Sequence, residues 1–339
     1  ITLLFYFPPF QNWAVKQASA YASQKTGMQI SVGSVRLSFP LNLDLREVKV
    51  LEPNRKTKNL NDTVADISSM VADVQLLPLL RKQVMVDELV FNDMKVNTTH
   101  FIDNVCIKGN VGHMSLKAHG IDLSREHVQL NDALLKNANI IVELSDTVPP
   151  DTTPSENFWK INLDKLKLQN SALAVHMPGD SLSVKTIFTN ALATQAYFDL
   201  YKGLYTVRHI DWGNGGLQYD RNFEPTTRGF DYNHLLLTDL SIKADSFYYC
   251  DSRIDLRVRE ATFRDKSGLA VDSLRGRFLM DSLRLSLPYL WFTTPTSQVR
   301  MNMGMDLNAF DDIRPGVFEM EMHGAIAVSY THLTLPTIY

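Results

Sequence analysis

Nine histidines, two cysteines and a few acidic pairs are the residues of this chain best suited to metal, nucleophilic or acid–base chemistry. His113, His119 and His127 form the closest histidine group, but their spacing matches no metal-ligand pattern. Solvated or hydrogen-bonded imidazoles are the expectation there. Cys106 and Cys250 are far apart and lack the C-x-x-C spacing of zinc or dithiol sites. A disulfide in an oxidising compartment and two free thiols both fit. Asp311-Asp312 could supply carboxylates to a hydrolase, yet nothing pairs them with a partner, and a solvated turn accounts for them. Gly213-Asn214-Gly215-Gly216 is the richest glycine cluster. It joins Trp212 to Leu217-Gln218-Tyr219 as a hairpin turn would, not as a phosphate cradle. The chain has no G-x-S-x-G, H-E-x-x-H, Walker lysine or G-x-G-x-x-G. The expectation is a protein that is not an enzyme and takes no metal or cofactor.

The elements that carry these residues follow a period of two. In Ser34–Leu45, SVRLSFPLNLDL, every odd position from Val35 is apolar and every even one is Arg, Ser, Pro, Asn or Asp. That is a β-strand pattern with one dry and one wet face. The run is long for one strand and holds Pro40, which removes a ladder donor, so two short strands joined at a bend are expected. Pro288 in the similar run Leu283–Tyr289 plays the same part. At Arg46-Glu47 the phase slips, because the next apolar residues are Val48 and Val50; a turn or bulge belongs there. A turn is also expected at Gly33-Ser34. Further strands are expected at 72–76, 84–96, 110–118, 128–144, 161–175, 204–210 and over most of 235–307, about twenty in all, with turn clusters at 54–59, 213–216 and 266–268. Asp87–Asp93 echoes Asp164–Asn170. With no crossover helices between them, the strands should be antiparallel. Gln11–Thr26 is the one expected helix, stopped by Gly27.

The chain is 339 residues long with 45% hydrophobic and 21% charged residues and a net charge of −3. That suits a folded protein of two domains or one elongated body. No basic excess draws a phosphate backbone, which argues against nucleic acid as a partner. The opening ITLLFYFPPFQNWAVKQ reads as the end of a truncated transmembrane anchor, with Phe5, Phe7 and Trp13 at the membrane interface. The closing Val328–Tyr339 breaks the pattern and reads as a non-native, adapter-derived tail. From pattern alone the apolar strand faces fit either a β-sandwich core or the lining of a curled trough.

In their order along the chain, several short pieces carry a resemblance. They are Pro9-Phe10-Gln11, Lys25-Thr26-Gly27, the strands from Ile30 to Val50, Leu77-Pro78-Leu79-Leu80 and Asp211-Trp212 through Asp220. Gly229–His234, Ser267-Gly268-Leu269 and Thr294–Ser297 follow. With these the chain resembles the TamB/AsmA-like envelope family (translocation and assembly module), particularly the TamB-like proteins of Bacteroidota. The resemblance implies an all-β, elongated, curled antiparallel sheet forming a groove, preceded by a short N-terminal helix. It implies one inner-membrane anchor with the bulk of the chain in the periplasm, and transport of phospholipid in support of outer-membrane biogenesis. A TamA-like outer-membrane barrel would be the protein partner, met through a C-terminal region not present in this sequence. The expected division is 1–7 anchor, 8–27 helix, 28–145 first groove segment, 146–157 Pro/Thr-rich loop, 158–327 second groove segment and 328–339 tail. The groove lining would include Val35, Leu37, Phe39, Leu41, Leu43, Leu45, Leu283, Leu285 and Leu287. The rival reading is a structural or adhesive β-sandwich with no lipid cargo.

Overall fold

In a computed structural model, the described residues are 19, 23, 28–38, 42–53, 61–75, 86–98, 105–118, 127–144, 160–179, 181–221, 224–225, 231, 233–250, 253–306 and 318–323. The expected anchor, the 8–27 helix as a whole, the Pro/Thr-rich loop and the tail lie outside them, as do Pro40, His119 and Asp311-Asp312.

The described residues are all-β. The strands are β1 (Gln29–Ser38), β2 (Asn42–Pro53), β3 (Asn61–Val74), β4 (Val86–Asn97), β5 (Val105–Ala118), β6 (His127–Leu144), β7 (Lys160–Met177) and β8 (Leu182–Asp199). They continue with β9 (Leu204–Arg221), β10 (His234–Cys250), β11 (Arg253–Asp265), β12 (Ala270–Met280), β13 (Arg284–Thr293), β14 (Gln298–Asp306) and β15 (Phe318–His323). The chain divides into unit 1, Ile1–Pro154 with Leu166–Asp180, and unit 2, Ser155–Lys165 with Ser181–Tyr339. Each strand bonds to its neighbours in sequence, in one sheet of order β1 to β15 that does not close into a barrel. The pairings from β1 to β6 and from β8 to β15 are antiparallel, as expected where no helix intervenes.

Strands are fewer and longer than the sequence suggests, reaching 18 residues in β6, β7, β8 and β9. The reason is that several expected turns are kinks inside a strand. Gly33-Ser34 lies within β1, and Gly213–Gly216 lies within β9. Both correct the turn expectation. At Gly213–Gly216 the chain changes direction through Asn214, whose φ is 51°, without leaving the sheet. The phase slip at Arg46-Glu47 is a kink of the same kind, with φ 55° at Glu47. By contrast, 266–268 is a true hairpin turn, with Gly268 at φ 89° between β11 and β12. The opening run does form two strands, β1 and β2, paired through Leu37 and Leu43.

Unit 1 repeats one motif on every strand. The skipped positions of the register fall on Gly33, Glu47, Ser68, Asp93, Gly112 and Asn137, one per strand from β1 to β6. The pairing sum is the same on either side of each skip, so no residue is inserted: this is a crease across the sheet, not a bulge. Glu47, Asp93 and Asn137 are left-handed, at φ 55°, 50° and 54°. Asn170 on β7 shares the conformation at φ 47°, and the Ser171 hydroxyl accepts a hydrogen bond from Ala138 N–H at 3.2 Å. Asn and Asp tolerate this backbone region better than most residues. The alternate strands carry small residues there. A Cβ on Gly33 would lie 2.9 Å from Glu47 Cβ, and one on Gly112 would lie 3.0 Å from Asn137 Cβ. The echo between Asp87–Asp93 and Asp164–Asn170 thus has a structural counterpart: both segments end on a left-handed residue of the crease.

Candidate functional site: the apolar sheet face

A left-handed residue shifts the alternation of side chains, and the sequence shifts with it. Apolar residues flank the crease at a spacing of three: Leu45 and Val48, Ile67 and Met70, Phe91 and Met94, Val111 and Met114, Leu135 and Ala138. The two apolar registers therefore stay on one face. On one side of the crease the cross-strand row is Val32–Val48–Ile67–Met94–Val111–Ala138. On the other it is Val35–Leu45–Met70–Phe91–Met114–Leu135. Between them the crease residues Glu47, Ser68, Asp93 and Asn137 are exposed.

Of the expected lining residues in unit 1, Val35, Leu37, Leu43 and Leu45 come together on this face. Leu37 and Leu43 pack on buried Ala72 and Val74, together with Val86 and Leu89. Phe39 and Leu41 lie outside the described residues, as do Phe5, Phe7 and Trp13. Val35, Leu37, Leu43 and Leu45 are half-buried. A side chain interlocked with a second sheet would be fully buried.

In unit 2, Leu285 and Leu287 lie on an apolar face of the same kind. Leu285 belongs to the row Phe198–Tyr205–Tyr249–Ile254–Met280–Leu285–Met305, which crosses seven strands, and Leu287 pairs with Met303. Tyr205 stacks between Phe198 and Tyr249 at centroid separations of 5.9 and 5.8 Å. Leu283 precedes β13 and is 65% exposed. The sequence reading missed Phe198 because it did not recognise β8; Tyr205 and Tyr249 lie in expected strands, but Leu204, Tyr248 and Cys250 beside them hide the alternation.

The opposite faces are polar and cross-linked. Lys108 meets Glu143 at 3.4 Å, Lys117 meets Glu88 at 3.6 Å, and Lys243 meets Glu260 at 3.1 Å. Arg277 Nε donates to Asp255 Oδ1 at 2.9 Å; that hydrogen bond, followed by the guanidinium charge, holds the Asp255 carboxyl below its usual range. Three buried carboxylates tie off loop ends in unit 2. Asp199 accepts from Lys202 N–H at 3.1 Å and from the Tyr197 hydroxyl at 3.2 Å. Asp231 accepts from Asn233 N–H, and Asp265 accepts from Leu236 and Ser267 N–H at 3.2 and 2.8 Å. Burial, then the Asp199 charge, pushes the Tyr197 hydroxyl above its ordinary range. These are structural roles: each carboxylate accepts at least one backbone N–H, and Asp231 Oδ2 also lies 3.1 Å from His234 Nδ1.

His113 Nδ1 lies 2.8 Å from Asn92 Oδ1. Cys106 and Cys250 are both thiols, and Cys250 Sγ donates to Lys202 O at 3.7 Å. Among the described residues no three His, Cys, Asp or Glu side chains are grouped to hold a metal ion, and no helix is long and apolar enough to cross a membrane. No protein-family model and no curated protein matches the chain.

Proposed function

We propose that the chain is part of an inner-membrane-anchored periplasmic conduit of the TamB/AsmA type, carrying phospholipid acyl chains along a curled apolar sheet face in support of outer-membrane biogenesis. The observation that carries this reading is the half-buried state of the apolar row Val35–Leu45–Met70–Phe91–Met114–Leu135 and of Leu37 and Leu43 beside it. A continuous apolar surface, flanked by polar crease residues and ion-paired outer faces, leaves side chains that water wets only partly. Acyl chains would complete their burial at about 0.8 kcal/mol per CH₂ removed from water. No nucleophile, metal or cofactor is needed for such transfer. A TamA-like barrel partner and a role in assembling outer-membrane proteins belong to the same proposal.

The test is to purify the chain without added lipid and analyse extracts by mass spectrometry. Stoichiometric phospholipid supports the conduit; a protein free of lipid after membrane-free and membrane-containing preparation alike contradicts it. A structural or adhesive β-sandwich, the rival, would bind none and would need its apolar rows fully covered.

A further inference from the structure

Burial across unit 1 is uneven in a way that gives the crease a direction. Val48, Ile67, Val111 and Ala138 are 5%, 6%, 4% and 4% exposed. All four sit in the single row beside the crease, on the apolar face; away from it, burial this deep falls on the small residues Ala72 and Ala133, 5% and 3% exposed, in the row that begins Leu37–Leu43. Their neighbours in the crease itself, Glu47, Ser68, Asp93 and Asn137, are exposed on the other face. A flat sheet with one uncovered face would expose every row of that face alike. A sheet folded with its apolar face inward covers the row at the bottom of the fold from both wings and turns the crease residues outward.

We propose that Glu47, Asp93, Asn137 and Asn170 are positioning residues for lipid, holding unit 1 folded so that the row Val48–Ile67–Met94–Val111–Ala138 is the floor of the groove. An acyl chain then lies along that row, across the strands. Five strands at about 4.8 Å spacing give a floor of roughly 19 Å, longer than the roughly 15 Å a single acyl chain spans in one leaflet. At Ala138 the small side chain leaves room on the floor that Met94 fills elsewhere. This inference rests on the lipid reading for its ligand but not for its geometry.

The two parts are separable by experiment. In a Cys106→Ser, Cys250→Ser background, spin labels are placed at Lys108→Cys and Lys117→Cys, either side of the crease on β5, and binding of NBD-labelled phosphatidylethanolamine is measured on the same protein. Asn137→Gly keeps access to positive φ and should leave both readouts at parent values. Asn137→Val disfavours that region; it should shift the label-to-label distance by several ångströms, of the order of one strand residue or more, and lower lipid binding at least tenfold. Should Asn137→Val not fold, Ala138→Leu leaves the crease intact and fills the floor, and should lower binding with no change in distance. Equal binding in the Gly, Val and Leu variants overturns the proposal. A parent that binds no lipid, while its Val variant still shifts the distance, overturns the lipid reading and upholds the crease.

Discussion

At Gly112 the sheet has no room for a side chain: the left-handed Asn137 backbone brings its Cβ within 3.0 Å of where a new one would stand. Gly112→Val therefore overpacks the crease and should cost about 1–3 kcal/mol in urea unfolding, whereas the same change at an exposed strand position costs far less. Asp265 poses the opposite case, a buried acceptor for two N–H groups. Asp265→Ala leaves both donors without it and should cost about 1–3 kcal/mol, while Asp265→Asn, which keeps an acceptor oxygen, should cost less. The Asp255–Arg277 pair gives a pH-dependent signature. Because folding lowers the Asp255 pKa, its contribution is present above the unfolded value of about 3.9 and disappears as pH falls through the folded one. Asp255→Asn should lower Tm at pH 7, and the gap to the parent should close as the pH drops below about 3.9.

The strands are long because kinks replace turns. Alternation in Val35–Leu45, and its break at Glu47, were legible in the sequence because one residue of slip moves every following side chain to the other face. The antiparallel order followed from the lack of helices. What was not legible was whether a polar or glycine pair inside an apolar run ends the strand or bends it. Gly213–Gly216 looks like a hairpin turn, and only the pairing of Gly213 with Asn190 and of Gly215 with Leu240 fixes it inside β9. β8 escaped recognition because Ala191-Leu192-Ala193 and Gln195-Ala196 blur the alternation around its own left-handed residue, Gln195 at φ 52°. Of the lining residues, Leu37, Leu43, Leu285 and Leu287 could be placed on a strand face by period alone; their row partners, from distant stretches of chain, could not. Element-level charge is the sharpest test of what the face does. Leu37→Asp and Leu285→Asp each put a carboxylate on a half-buried row. Each should cut lipid retention at least tenfold while far-UV circular dichroism stays that of the parent; loss of the β signal would mean the rows are a closed core.

For the whole molecule, a sheet whose strands bond in chain order can lengthen strand by strand while keeping one apolar face, and it asks nothing of catalytic chemistry. Polar pairs such as Lys243–Glu260 hold neighbouring strands from the outside, and the crease bends unit 1 without adding a residue to any strand. The apolar face is the only feature of the described residues large enough to account for a function on that scale. Its occupancy can be read in cells by placing the photo-crosslinking residue benzoylphenylalanine at Leu43, on the face, or at Lys49, exposed on the other side, and analysing adducts by mass spectrometry. Phospholipid adducts at Leu43 and none at Lys49 are expected; equal labelling at both positions, or none at either, would contradict the conduit.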